Sequence, residues 1–195
     1  MPDRPILRWR GRAALALLLL WHVAAHAGAV LPARGSVEVA FSPGGRPETV
    51  LLRLIEGARH SLHVQAYAFT SKPIATALIA AHRRGVRVEV LADARMNRRG
   101  KGNVLPELIA AGIPVALETR FSAAHNKVMI ADAAGPGCAL ATGSYNFTKS
   151  ANTRNAENLI VLRDHCELTR VYLDNWKRHR EDATAVRRLP WKPAT

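Results

Sequence analysis

Stretches typical of strands and of helices alternate along residues 36–180, and this alternation restricts the possible folds more than any other feature. Alternating or apolar segments predict strands at 36–41, 62–69, 86–92, 115–117, 127–131, 139–141 and 159–162. Apolar residues at helical spacing predict helices at 49–58, 72–84, 105–111 and 166–180. Such a succession with short links predicts one α/β domain over residues 36–182, with a mixed central β-sheet flanked by helices on both faces.

Two segments fall outside this pattern. The Arg- and Gly-rich stretch 93–102 is predicted to be a loop, and residues 183–195 are predicted to be a C-terminal tail. Tyr67 and Phe69, near the end of the second strand, are expected in the core rather than as platforms for stacked bases.

The first 27 residues have the pattern of a secretory signal peptide. Four arginines precede an apolar run from Ala13 to about Ala25, and the sequence Ala25-His26-Ala27 fits an A-x-A cleavage site. The run is shorter than the ~20 residues of a membrane-spanning helix, and an uncleaved N-terminal anchor is the alternative. A periplasmic or secreted protein is therefore expected.

Export bears on the two cysteines, Cys138 and Cys166. An even number of cysteines in an oxidising compartment permits one disulfide, although the sequence does not show that these two approach each other. They form no C-x-x-C pair, so a structural zinc site is not expected.

The chain is strongly basic, with 28 Lys and Arg against 15 Asp and Glu and a formal charge of +13. Without residues 1–27 the counts are 24 and 14, so the charge of +10 belongs to the domain itself. Such an excess favours polyanionic partners, either nucleic acid or an anionic membrane surface. The basic clusters at 83–84 and 98–101 either are solvated or line a groove for DNA phosphates.

The residues that carry chemistry lie between 121 and 158. His125 and Lys127 are two apart, and Asp132 follows after four more residues. On an extended strand His125 and Lys127 would point to the same side. An imidazole beside an ammonium suits attack on a phosphate ester, because lysine neutralises phosphate oxygens and histidine serves as nucleophile or general acid.

A second group of polar residues follows on the next strands. Gly143 permits a tight backbone, and Ser144 and Asn146 can donate hydrogen bonds to anionic oxygens. Glu157 comes just before the apolar strand 159–162, where a carboxylate could hold an imidazole N–H.

These residues resemble the phospholipase D superfamily. HNKVMIAD matches its H-x-K-x4-D signature, and GSYNFT and Glu157 match the elements that follow the signature. With one copy of the motif, the chain is similar to the small bacterial endonucleases of the Nuc type, over most of residues 36–180. The resemblance implies the phospholipase D-like fold and a homodimer with the active site on its twofold axis.

The resemblance also implies residue roles. His125 of one subunit would form a phosphohistidine, and His125 of the other would protonate the leaving oxygen. Lys127 and Asn146 of both subunits would bind phosphoryl oxygens with support from Ser144, and Glu157 would orient His125. Asp132, like Gly143, would be structural. No metal and no cofactor is implied, since the two lysines supply the positive charge that a metal ion would bring.

Three functions compete at this point. The first is a metal-independent endonuclease that cuts DNA or RNA with little sequence preference. The second is a phospholipase D-type hydrolase of phosphatidyl esters, because the same residues serve both reactions. The third, less favoured because His125, Lys127, Asn146 and Glu157 are all in place, is a non-catalytic basic protein that binds nucleic acid.

Overall fold

A mixed eight-stranded β-sheet organises the part of the chain that the computed structural model describes, residues 28–99 and 102–190. The strands are β1 (Ser36–Ser42), β2 (Ser61–Ala66), β3 (Arg87–Asp93), β4 (Val115–Glu118), β5 (Lys127–Ala131), β6 (Ala139–Gly143), β7 (Glu157–Arg163) and β8 (Thr184–Val186). The helices are α1 (Pro47–Gly57), α2 (Lys72–Arg83), α3 (Ala94–Arg99), α4 (Leu105–Ala110), α5 (Lys149–Thr153) and α6 (Cys166–Asp182).

The strand order is β1-β7-β6-β5-β2-β3-β4-β8. Strands β2, β3 and β4 are parallel, because helices α2 and α4 carry the chain back between them. Strands β5, β6 and β7 are antiparallel, and β1 pairs with β7 in the same way. The predicted mixed sheet is confirmed.

Helices cover both faces of this sheet, as predicted. The buried residues of α1, α2 and α4 form the larger core cluster with one face. Helix α6 covers the other face, where Trp176 packs on Val128, Ile130 and Leu140. The indole Nε1 of Trp176 donates a hydrogen bond to the carbonyl of Val64 at 3.0 Å, which anchors α6 to the centre of the sheet.

Two segments that were predicted to be irregular contain regular elements. The stretch 93–102 contains helix α3 rather than only a loop, because the Asp93 carboxylate accepts the Met96 N–H and begins a helical turn. Residues 184–186 of the predicted tail form strand β8, which pairs with β4. The three residues of β8 are exposed or half-buried, so they lack the apolar pattern of the short strands that were predicted.

Cys138 and Cys166 form a disulfide that spans 28 residues and joins the start of β6 to the start of α6. The signal peptide or anchor predicted for residues 1–27 lies outside the described residues, as do residues 191–195 of the tail. Within the described ranges, no helix is long and apolar enough to cross a membrane.

Candidate functional site

The motif residues meet at one edge of the sheet, where β2 and β6 end and β5 and β7 begin. The register pairs Lys127 with Ala66, at the end of β2. Gly143, at the end of β6, pairs with Leu159 of β7. Glu157 starts β7, opposite Ser42 of β1. Antiparallel pairing thus brings together residues that are 30 positions apart along the chain.

His125 and Lys127 form a direct pair. The Lys127 Nζ lies 2.8 Å from Nδ1 and 3.1 Å from Nε2 of His125, and 2.6 Å from the His125 carbonyl oxygen. Strand β5 begins only at Lys127, so His125 precedes the strand instead of sharing one of its faces. The lysine chain reaches back to the imidazole. Only a neutral imidazole has a lone pair that can accept a hydrogen bond from this ammonium. The neutral form is also the one in which histidine acts as a nucleophile.

The two partners differ in exposure. His125 is exposed, whereas Lys127 is only 5% exposed. Burial lowers the pKa of Lys127, and the carboxylate of Glu157 acts in the opposite direction. An exposed imidazole above a desolvated ammonium is a suitable arrangement for binding a phosphate that arrives from solvent.

Tyr67 belongs to this site, so the expectation that it is a core residue is wrong. Its ring lies 4.3 Å from the His125 ring, tilted by 55°, and 4.9 Å from the Lys127 Nζ. Strand β2 ends at Ala66, one residue earlier, and the chain turns there towards the motif. Phe69, by contrast, is fully buried against Phe147.

Two buried polar residues that sequence reasoning missed hold the backbone of this region. The Asp93 carboxylate accepts the Ala124 N–H at 2.8 Å, immediately before His125. The Asn97 amide donates to the Tyr67 carbonyl at 2.9 Å and accepts the Phe69 N–H at 3.1 Å. Each is 2% exposed. Their position at the end of β3 and in the helix that follows it, at the edge of the sheet where the motif lies, was the available signal.

Ser144 and Glu157 form a second hydrogen-bonded pair. The Ser144 hydroxyl donates to Glu157 Oε2 at 2.6 Å and accepts the backbone N–H of Asn158 at 3.0 Å. Asn155 donates to the other carboxylate oxygen at 2.9 Å. The hydrogen bonds of Glu157 in the described chain are therefore with Ser144 and Asn155, and the structure does not show the expected bond from Glu157 to His125.

Gly143 cannot be replaced without moving its neighbours. Its φ is +153°, and a Cβ there would lie 2.3 Å from the carbonyl oxygen of Asn158. The close approach of β6 and β7 at this point places Ser144 against Glu157.

Two polar side-chain groups in the residues after Ser144 are buried and unpaired in the described chain. The Asn146 side-chain oxygen and the Tyr145 hydroxyl are buried and have no hydrogen-bond partner in the described chain. Burial, with the charges of Glu48 and Glu157, raises the pKa of Tyr145, which keeps the phenol neutral. The unpaired atom of Asn146 is an acceptor, so only the NH₂ group of this amide could donate to an anionic oxygen.

Asp132 has structural contacts. Its Oδ1 accepts the backbone N–H groups of His60 and Ser61, each at 2.8 Å, and its Oδ2 accepts that of Arg59 at 2.7 Å. The carboxylate is 4% exposed and ties the end of β5 to the start of β2.

Comparison with known proteins agrees with this geometry. Residues 51–180 match the family described as cardiolipin synthase, PLD-like domain. The chain belongs to the phospholipase D superfamily. Its sequence is 40% identical over 153 residues to a phospholipase D of Rickettsia prowazekii, which covers 78% of this chain and 72% of that protein. It is 34% identical over 128 residues to the mitochondrial cardiolipin hydrolase of Mus musculus, covering 66% and 55% of the two chains.

Among solved structures, the phospholipase D family member Nuc from Salmonella typhimurium is similar over 78% of this chain and 99% of that one. The TM-score is 0.74 and the sequence identity 34%. The fold and superfamily predicted from the motif are therefore confirmed, and the protein is a phosphodiesterase of the phospholipase D superfamily.

In residues 28–99 and 102–190, no group of three or more His, Cys, Asp or Glu side chains is arranged to hold a metal ion. The metal-independent, cofactor-free reaction stays a prediction.

Proposed function

We propose that this phospholipase D superfamily member is an endonuclease that hydrolyses phosphodiester bonds of DNA or RNA without sequence preference. The main support is the distribution of cations around His125. Arg95 and Arg98 are exposed on α3. This helix follows Asp93, which holds the residue before His125, and contains Asn97, which holds the backbone of Tyr67. Exposed cations near a reactive imidazole suit the repeated phosphates of a nucleic acid.

A second basic surface is formed by residues that follow Tyr67 and Asn146 along the chain. Lys72 and Lys149 line a pocket of about 510 Å³ together with Thr70 and Asn152. Thr70 is three residues after Tyr67 and Lys149 is three residues after Asn146, so the pocket continues the catalytic edge. Its Glu48 carboxylate is hydrogen-bonded to Ser71 at 2.6 Å. A strand of phosphates extending from His125 would meet these two lysines.

The chemistry assigned to the pair takes two steps. The neutral His125 nitrogen attacks phosphorus and the bond to the leaving oxygen breaks, while a second histidine gives that oxygen a proton. Water then attacks phosphorus, the P–N bond breaks and releases neutral His125, and the same second histidine takes up the proton of that water. Lys127 leaves the imidazole and neutralises the phosphoryl oxygens, and the side-chain NH₂ group of Asn146 donates a hydrogen bond to another phosphoryl oxygen.

The second histidine is supplied by another copy of the chain. In the described part of the chain, no other histidine is hydrogen-bonded to His125 or stacked on its ring. We therefore propose a homodimer in which the partner's His125 is the general acid. In mixtures of wild type and His125→Ala, activity would fall as the square of the wild-type fraction. A linear fall would show that each subunit works alone.

The deciding experiment is cleavage of plasmid DNA and of RNA in excess EDTA by wild type, His125→Ala and His60→Ala. His60 is an exposed histidine away from the pair, so it is the matched control. We expect wild type and His60→Ala to cut and His125→Ala to be inactive. Equal cutting by all three would refute the site.

Hydrolysis of phosphatidyl esters is the second candidate, and one surface favours it. Val37, Val39 and Phe41 alternate along edge strand β1 and are 57%, 52% and 61% exposed. The stripe ends next to Glu157, since Ser42 pairs with that residue. An apolar strip beside the site could contact acyl chains. Release of headgroup from phosphatidylcholine or cardiolipin vesicles by wild type, with no cutting of nucleic acid, would favour this function.

The periplasmic or secreted location is also a proposal, tested by fractionating cells.

A further inference from the structure

We propose that Tyr67 is a positioning residue of the hydrolytic reaction. The claim is that its aromatic face fixes the orientation of the His125 imidazole and holds the Lys127 ammonium beside it. It applies to any phosphodiester that this site hydrolyses, so it does not depend on nucleic acid being the substrate.

The first support is the placement of the ring. One residue contacts both members of the pair, with the Tyr67 ring 4.3 Å from the His125 ring and 4.9 Å from the Lys127 Nζ. The ring face carries partial negative charge, so it attracts a cation within about 6 Å. Lys127 has little water around it, because the residue is only 5% exposed. An attraction of this kind is stronger where the cation is desolvated.

The second support is that the backbone of Tyr67 is tied to the same segment. Its N–H donates to the carbonyl of Asn126, the residue between His125 and Lys127, at 3.0 Å. Its carbonyl accepts from the buried Asn97 amide at 2.9 Å. Both backbone groups of Tyr67 are therefore hydrogen-bonded, which limits how far its ring can move away from the imidazole.

The third support is the exposure of His125. An exposed imidazole before the start of a strand rotates freely unless something packs against it. In the described chain, the hydrogen bonds of its ring are with Lys127 and its aromatic contact is with Tyr67. When phosphate draws Lys127 away, Tyr67 remains as the surface that keeps the attacking nitrogen in line with phosphorus. Orientation of this kind acts on the chemical step rather than on substrate binding.

The test compares Tyr67→Phe with Tyr67→Leu on bis(4-nitrophenyl) phosphate, a small diester that needs no nucleic-acid groove. Phenylalanine keeps the ring face, and leucine fills the space without it. We expect Tyr67→Phe to keep kcat within about twofold and Tyr67→Leu to lose about tenfold or more, with KM nearly unchanged in both. Tyr172→Leu, the same change at a half-buried tyrosine on α6, is the control for general destabilisation.

A further measurement separates positioning from structural support. Loss of the ring face destabilises the ammonium, so the basic limb of the pH–rate profile should move to lower pH in Tyr67→Leu but not in Tyr67→Phe. If Tyr67→Leu does not fold, Tyr67→Met replaces it, because methionine adapts to irregular gaps. The proposal is overturned if the folded ring-less variant keeps wild-type kcat, or if Tyr67→Phe loses as much as the ring-less variant.

Failure of the nuclease proposal would look different. Wild type would then hydrolyse bis(4-nitrophenyl) phosphate while leaving DNA and RNA intact. The kcat values of Tyr67→Phe and Tyr67→Leu on this diester could still be compared.

Discussion

Replacing Asp132 with asparagine should cost stability and spare the chemistry. The carboxylate accepts three backbone N–H groups from 59–61 while 4% exposed. Its φ is +48°, a left-handed conformation that asparagine tolerates well, so the substitution adds little backbone strain. The amide can keep two of these bonds through Oδ1, but its NH₂ then faces the N–H of Arg59. A lost hydrogen bond to a charged group costs about 1.5–3 kcal/mol. At roughly 2–4 °C per kcal/mol, the melting temperature should fall by about 3–12 °C.

The assay is thermal unfolding of Asp132→Asn, with kcat on bis(4-nitrophenyl) phosphate measured well below the transition. Asp164→Asn is the matched control, because Asp164 is exposed and also has a positive φ, +61°. We expect kcat within about twofold of wild type, since the contacts of Asp132 are with backbone between α1 and β2. If Asp132→Asn is as stable as the control and yet inactive, Asp132 acts in the reaction and our reading of its contacts is wrong.

Three further predictions concern separate parts of the domain. Gly143→Ala should lower kcat by about tenfold or more, because its Cβ would displace Asn158, and alanine at an exposed loop position is the control. Reduction of the Cys138–Cys166 disulfide, which spans 28 residues, should cost about 3–4 kcal/mol, measured by unfolding with and without dithiothreitol. His63 is buried, and burial, followed by the charges of Arg87 and Lys177, lowers its pKa to about 4. The unfolded chain therefore binds the proton more readily, so stability should fall by roughly 1–3 kcal/mol as pH drops from 6.5 towards 4. An unchanged acid slope in His63→Leu would refute that assignment.

The sheet and its helices could be predicted because each element has a local signature. The apolar spacing in 49–58 and 72–84 identifies α1 and α2 within two or three residues of their observed ends. Strand β5 was predicted at its observed bounds, Lys127–Ala131, since all five residues are buried and flanked by polar ones. The elements that were not predicted are short, or they depend on contacts with other parts of the chain. Helix α3 depends on a carboxylate cap from Asp93, and β8 depends on the neighbouring strand β4.

The candidate site was predictable as a set of residues but not as a geometry. The motif places His125 and Lys127 together, and the structure brings them within 2.8 Å, although by a lysine reaching back rather than by a shared strand face. Tyr67 was missed because a strand continued to residue 69 would bury its ring. The real strand ends at Ala66, and that end is decided by pairing with Lys127, which no local pattern records.

The two ends of the domain occupy opposite margins of the sheet, with β1 first and β8 last in the strand order. Seven neighbour-to-neighbour steps of about 4.8 Å separate them by roughly 34 Å. A circular permutation, which joins the two ends of the same copy, must therefore bridge the width of the sheet. At about 3.3 Å per extended residue, a tether shorter than about ten residues would pull β8 or β1 from its neighbour. Circular permutants of this domain therefore need connectors of at least that length.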